Sequence, residues 1–235
     1  VALSSMAVVN VRDAVTEAAL CVSRGVLQSC AALKTEVETA RRQIAAEEST
    51  KSKSVAKQNP KYQFCLQQEA RAKKDLEAQW ELTEKVFNSI FVHRSRDFYE
   101  EVRITAMRHL LTFVRFDPVH PVRVDALKYL GWGCGDYAAA VRLESIRAIQ
   151  ELVQNPEALP YLATFVQHFA DRFIEIASND IDDNVCLAMI EAMRAMQRNC
   201  LLDTLSQDKL DGVDVIVFDP SATLRVRQEA LAFVM

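Results

Sequence analysis

Apolar residues recur every three or four positions along most of this chain, the spacing of a helix with one buried face. From Met6 through Val9, Ala14, Ala18, Cys21, Val22, Leu27, Cys30 and Leu33 to Val37 they form a single stripe. Beyond Lys34 the stripe thins and charge takes over. Residues 49–60 are rich in Ser, Thr and Lys and end in Asn-Pro, which predicts a linker. A second long helix is predicted from about Lys61 to Ile90, with Phe64, Leu76, Trp80, Leu82, Val86, Phe87 and Ile90 as its apolar points. Two long helices joined by a short polar linker predict an antiparallel hairpin over residues 1–92. Its polar distal halves carry too little apolar surface for a core, so they are expected to protrude and to pair mainly with each other.

From residue 93 onward the pattern is shorter. It predicts helices over about 97–115, 121–134, 137–154, 158–178, 182–199, 206–217 and 220–235, separated by Asp-Pro, His-Pro, Asn-Pro and Leu-Pro breaks. One phrase recurs four times: Asp, four residues, an aliphatic, usually Arg, then an apolar run. The copies start at Asp97, Asp136, Asp180 and Asp219. A period near forty residues is that of two-helix HEAT or armadillo units. The expected fold is therefore all-α, a HEAT-repeat-like α-solenoid over residues 93–235 with a protruding helical hairpin before it.

The phrase has a physical reading. Asp before an apolar helix is expected to cap its first turn. Val102, Val141, Val185 and Leu224 are the expected first core positions. Arg103, Arg142 and Arg225 follow them and are expected to pair with the Asp of an adjacent unit. Cys186 replaces the Arg in the third copy, so the ladder is expected to break there.

Composition narrows the class. Half the residues are hydrophobic, enough for a substantial core, while only 5 Gly and 6 Pro leave little turn chemistry for many strands. No run approaches the ~18 apolar residues of a membrane span, and no secretory signal is recognisable at the start. The chain reads as an internal piece of a larger protein. Its 6 Cys show no CxxC pairing and mostly fall on apolar faces, as expected of buried free thiols. The net charge of −4 is uneven, with a local positive excess over residues 41–77. Lys51, Lys53, Lys57 and Lys61 have no acid between them, and Arg71, Lys73 and Lys74 follow. Such a stretch suits either a phosphate backbone or a solvated loop.

No enzyme motif survives inspection. GWGCGD has no strand before it and no Lys-Ser/Thr after it, so it is not a phosphate loop. The 4 His are scattered, and acidic pairs lie at helix starts, where capping explains them. No catalytic residue, metal site, cofactor or small-molecule substrate is expected. Trp132 resists a core explanation. Flanked by Gly131 and Gly133 at a helix end, it is either a wedge between units or an anchor for a peptide.

The runs FVHRSRD (91–97), YLGWGCGD (129–136), VRLESIRAIQEL (141–152) and FVQHFADR (165–172) resemble the stromalin conserved domain, which belongs to the HEAT-repeat STAG/SA subunits of cohesin. The resemblance covers about 91–172 and weakens toward Met235. It implies a nuclear, chromosomal scaffold in sister chromatid cohesion. Such a scaffold binds the kleisin and other cohesin subunits, touches DNA through basic surfaces and takes aromatic-bearing peptides from cohesin regulators. Carried over by position, the peptide and kleisin surface comprises Leu127, Lys128, Trp132, Asp136, Phe165, His168 and Phe169. Two positions depart from the animal pattern: Ser95 stands where an aromatic wall is usual, and His168 where an Arg is. A rival reading is a cytoplasmic HEAT adaptor in transport, phosphatase scaffolding or trafficking, which has no nucleic-acid role.

Overall fold

The computed structural model describes residues 8–50, 59–116, 126–203, 205 and 207–235, all helices, turns and loops with no strand among them. They form two compact units. One is Ala18–Phe91, and the other takes its residues from before Ala18 and from Val92 onward.

The first unit is made by two long helices, α1 (Val9–Thr50, of which Ala18 onward belongs here) and α2 (Pro60–Val86). Asn59 starts α2: its Oδ1 accepts the Lys61 N–H at 3.1 Å, and Pro60, which has no N–H to satisfy, takes the first helical position. Helix–helix bonds run Cys30 to Gln79, Gln68 to Glu36, Cys65 to Gln43 and Tyr62 to Glu48. As one number rises the other falls, so the pair is antiparallel. Leu20, Leu27, Cys30, Val37 and Ala40 of α1 and Tyr62, Cys65 and Ala72 of α2 are buried. Beyond Val86 the helix widens into a π turn, Phe87–Phe91, and ends in one further turn, Val92–Arg94.

The second unit is built from α3 (Glu100–Phe116), α4 (Leu127–Gly133), α5 (Ala139–Gln154), α6 (Leu159–Asn179), α7 (Asp183–Arg198), α8 (Gln207–Asp214) with a 3₁₀ turn at Val215–Phe218, and α9 (Leu224–Val234). Helices α3, α5, α7 and α9 pack side by side in one layer. Helices α4, α6 and α8 pack against them and against neighbours in a second. This is the two-layer stacking of a helical solenoid, in which each unit buries its apolar face on the next. The fold class read from the sequence is borne out. Salt bridges stitch the first layer from outside: Arg108 to Glu144, Arg115 to Glu151 and Arg194 to Glu229.

The recurring phrase does something different from simple capping. Helices α3, α5 and α7 start three residues after their Asp, not at it. Each Asp instead accepts the N–H two residues on, at Tyr99, Ala138 and Asp182, and so fixes the turn that enters the helix. The Arg then ties two turns together. Arg103 grips both oxygens of Asp136 at 2.7 and 2.9 Å, and its third nitrogen donates to the carbonyls of Asp97 and Phe98. Arg142 repeats this on Asp180 (2.7 and 2.6 Å) and on the carbonyls of Asp136 and Tyr137. Cys186 takes the place of Arg in the next copy. Its thiol bonds only to the carbonyls of Asp180 and Ile176, fastening its own turn but reaching no later Asp.

Two parts of the phrase read differently in the structure. In the fourth copy Leu224 is exposed and Val226 is buried, because the turn after Asp219 is two residues longer and α9 begins only at Leu224. The structural counterpart of Arg103 and Arg142 is therefore Arg227; Arg225 faces solvent. The ladder also has an earlier rung. Arg12 of α1 donates to Asp97 at 3.0 Å, and Arg94 reaches the other oxygen of that carboxylate at 2.6 Å. The predicted helix at 121–134 is seen as Leu127–Gly133, with 121–125 outside the described residues. The predicted helix at 206–217 ends in 3₁₀ form from Val215.

Cysteine burial follows the expected apolar faces except at Cys21, which the sequence puts on the α1 stripe and the structure leaves exposed. Cys30, Cys65, Cys134 and Cys186 are buried and Cys21 and Cys200 exposed, all as free thiols. Burial pushes the Cys134 thiol up to about 12 and, mainly by the same cause, Cys186 to about 11, so neither forms thiolate near neutrality. A thiol reagent at pH 7.5 is expected to label Cys21 and Cys200 quickly and the other four only after denaturant is added. Rapid labelling of Cys134 in the native protein would contradict this packing.

Candidate functional site

The site grows out of α4. This short helix carries three glycines in or just after its last turn, and two of them are needed for close approach. A Cβ on Gly131 would fall 2.2 Å from the ring of Phe169, and one on Gly133 would fall 2.2 Å from Ser145 Oγ. Glycine there lets α4 sit directly on α5 and α6. Between them, Trp132 has no room to turn inward. Its indole points out, 49% exposed, edge-on to Tyr129 at 5.3 Å and under the Arg96 guanidinium at 4.7 Å. Gly131→Ala is expected to lower stability by roughly 1–3 kcal/mol through overpacking, and Phe169→Ala should relieve much of that loss. Additive losses in the double variant, read by urea denaturation, would show that the two do not meet.

A cavity of about 430 Å³ opens beside the indole. Ser95 and Arg96 form one end, the Asp97–Phe98 turn and Tyr137 its rim, and Tyr129, Trp132 and Gly133 its wall. Ser95 is buried, its hydroxyl donating to the Val92 carbonyl at 3.2 Å. Most charge at the cavity is spoken for. Asp97 is held by Arg12 and Arg94, and Asp136 by Arg103. Arg96 lies over the Tyr129 and Trp132 rings and, unlike Arg103, makes no ion pair among the described residues. An aromatic wall, a cation stacked on it and an open mouth suit a side chain of another polypeptide.

The seven residues assigned to this surface from the sequence divide. Trp132 and Asp136 line the cavity. Leu127 is buried and Lys128 lies over the Tyr129 ring at 5.6 Å. On α6, Phe165 is buried and Phe169 half-buried, their rings 5.1 Å apart, with Phe169 supporting Gly131 from behind. His168 is exposed, edge-on to Phe169 at 4.8 Å. The sequence reading missed Arg96, Phe98, Tyr129 and Tyr137. A signal for two of them was present: Phe98 and Tyr137 each follow a ladder Asp.

Of the four described cations assigned to DNA from the sequence, three are engaged. Lys61 pairs with Glu47, Arg71 with Asp75 and Lys73 with Glu69; Lys74 is exposed without an ion pair among the described residues. Lys51, Lys53 and Lys57 lie outside the described residues. Among the described residues no group of three His, Cys, Asp or Glu side chains is placed to hold a metal, and no helix is long and apolar enough to cross a membrane.

Fold and site together are those of a repeat-type helical stack with an open, aromatic-walled cavity. In comparison with known proteins, residues 96–170 match the family model of the stromalin conservative domain. Sister-chromatid cohesion protein 3 of Arabidopsis thaliana is 33% identical over 122 residues, 52% of this chain and 11% of that protein. Cohesin subunit scc-3 of Caenorhabditis elegans is 28% identical over 185 residues, 79% of this chain and 17% of that one. Among solved structures, cohesin subunit Scc3 from Z. rouxii shares the fold with a TM-score of 0.78, at 20% identity, over 99% of this chain and 26% of that one. The resemblance read from FVHRSRD and YLGWGCGD is borne out. This chain spans less than a fifth of the length of the two curated relatives.

Proposed function

We propose that this chain is a non-enzymatic scaffold segment of a cohesin complex, acting on chromosomes in the nucleus in sister chromatid cohesion. Its Trp132 cavity takes a side chain of the kleisin subunit or of an aromatic-bearing regulator peptide, and its hairpin cations touch DNA. The observation that carries this reading is the open aromatic cavity at Trp132, lying inside the segment that matches the stromalin conservative domain. Of the surface carried over by position, Trp132 and Asp136 line the cavity and Phe169 backs Gly131 of the same helix, while Leu127, Lys128, Phe165 and His168 are taken to extend the contact beyond it. The DNA contact rests on Lys51, Lys53, Lys57, Lys61, Arg71, Lys73 and Lys74. Three of these already face carboxylates, so only a shallow contact is expected.

Affinity purification of the full-length protein tests the assignment. The expected co-purifying proteins are a kleisin and two long coiled-coil ATPases. A transport or phosphatase set in their place would give the assignment to a cytoplasmic adaptor. Binding to a 30-base-pair duplex should weaken steeply as salt rises, since phosphate contacts release counterions. Salt-independent binding would remove the DNA contact from the proposal.

A further inference from the structure

The residue after each of the first three ladder aspartates is apolar and stands in solvent: Phe98 is 82% exposed, Tyr137 77% and Ile181 fully. These turns are fixed by the Asp–Arg bonds, so the exposure is built in. Tyr137 is held further, its ring under the Arg103 guanidinium at 4.5 Å and its hydroxyl donating to the Phe98 carbonyl at 3.2 Å. The three residues bracket two cavities. The Trp132 cavity lies between Phe98 and Tyr137, and a second cavity of about 350 Å³ lies between Tyr137 and Ile181.

The second cavity differs in character from the first. Its charges cancel within the protein: Arg142 binds Asp180, Arg172 binds Glu175, and Asp136 is held by Arg103. Its exposed apolar side chains are Tyr137 and Ile181; Ile176 is buried in its wall, and the uncharged amide of Asn179 also lines it. The first cavity keeps the one unneutralised cation, Arg96. The spacing follows from the stacking, since packed helices sit about 8–10 Å apart and an extended chain advances about 3.3 Å per residue. One repeat along the solenoid therefore matches three residues of an extended partner.

We infer that the Trp132 cavity and the Tyr137–Ile181 cavity are two subsites for one extended partner segment. The segment carries an aromatic residue, an acidic residue beside it to meet Arg96, and an aliphatic residue three positions from the aromatic. This rests on the peptide-binding reading of Trp132 and adds a register to it. Aromatic contact at the first subsite gives affinity; the second measures the distance to the next apolar side chain. A partner with the aliphatic residue at another spacing loses the second contact, because Tyr137 stands as a fixed partition.

Fluorescence anisotropy on the full-length protein tests the register with three labelled peptides. One contains Asp-Phe-Ser-Ser-Leu, one moves the Leu a residue nearer, and one replaces it with Ser. The first should bind about tenfold more tightly than the other two, the worth of one buried aliphatic side chain. Ile181→Asp, at a fully exposed position, should abolish that difference and leave the Leu-free peptide unaffected. Trp132→Ala should weaken all three. If Trp132→Ala acts but neither Leu spacing nor Ile181→Asp matters, the second subsite is overturned and the first stands. If Trp132→Ala has no effect, or no peptide binds, both fall. Sedimentation of the protein alone gives a further arm: a dimer dissolved by Ile181→Asp would make this ridge a self-contact and overturn the proposal.

Discussion

Replacing Arg142 by alanine is expected to destabilise the repeats by about 3 kcal/mol, a cost set by the buried partner left behind. The Arg142 side chain makes four hydrogen bonds, two to the Asp180 carboxylate and two to the carbonyls of Asp136 and Tyr137. Both side chains of the pair are at least nine-tenths buried. Without the guanidinium, the Asp180 side chain keeps its bond from the Asp182 N–H but loses its countercharge. Lysine should not restore the loss, because one ammonium cannot span a carboxylate and two carbonyls in the same plane. Arg225→Ala, at an exposed position, is the control and should leave the transition where it was. Urea unfolding followed by circular dichroism reads the difference. Solenoid stability is a sum over neighbouring units, so the change should appear as an earlier, local transition. Equal midpoints for the two variants would mean that the ladder contributes nothing.

Trp132→Ala is expected to cost roughly 2–4 kcal/mol of partner binding, the range of an interfacial tryptophan anchor. The indole is half exposed, so its loss removes little core and the helical signal should persist. Binding of a kleisin segment or an aromatic-bearing peptide to the full-length protein, with circular dichroism as the check on folding, separates the two roles. Lost binding with intact helicity supports recognition. Lost helicity would make the indole a wedge between repeats.

Much of the fold was legible because helix periodicity is a local property. The helical period of the first segment and the repeated Asp phrase each declare themselves within one helix. The buried face of α1 was only partly legible. Leu27, Cys30 and Val37 are buried as expected, whereas Ala14, Ala18, Cys21 and Val22 are exposed and Thr16, Leu20 and Ser23 are buried in their place. What else escaped depended on distance or on a turn. Arg12 pairs with Asp97, 85 residues away across the hairpin, although Val11-Arg12 repeats the aliphatic–Arg pairing of the later copies. In the fourth copy, LRVR offers an aliphatic–Arg pair twice, and only the longer turn after Asp219 decides for Val226 and Arg227. At the site, Trp132 stood out because a bulky residue between glycines has no ordinary core role. Phe98 and Tyr137 did not stand out, since the letters after an Asp do not say whether a turn presents or buries them. The engagement of Lys61, Arg71 and Lys73 was equally hidden, being set by which carboxylates face them across or along the hairpin.

The thiol at position 186 leaves one seam of the stack joined differently from the others. Asp219 bonds within its own turn, to Ser221 and the Ala222 N–H, and has no ion pair among the described residues. Between α7 and α9 the attachment is greasy surface plus the single Arg194–Glu229 bridge at 2.9 Å. Contact of that kind has no preferred direction and tolerates sliding, whereas a forked guanidinium–carboxylate clasp resists it. Curvature of the superhelix can therefore change most easily there, which gives the molecule a compliant joint beyond a stiff platform.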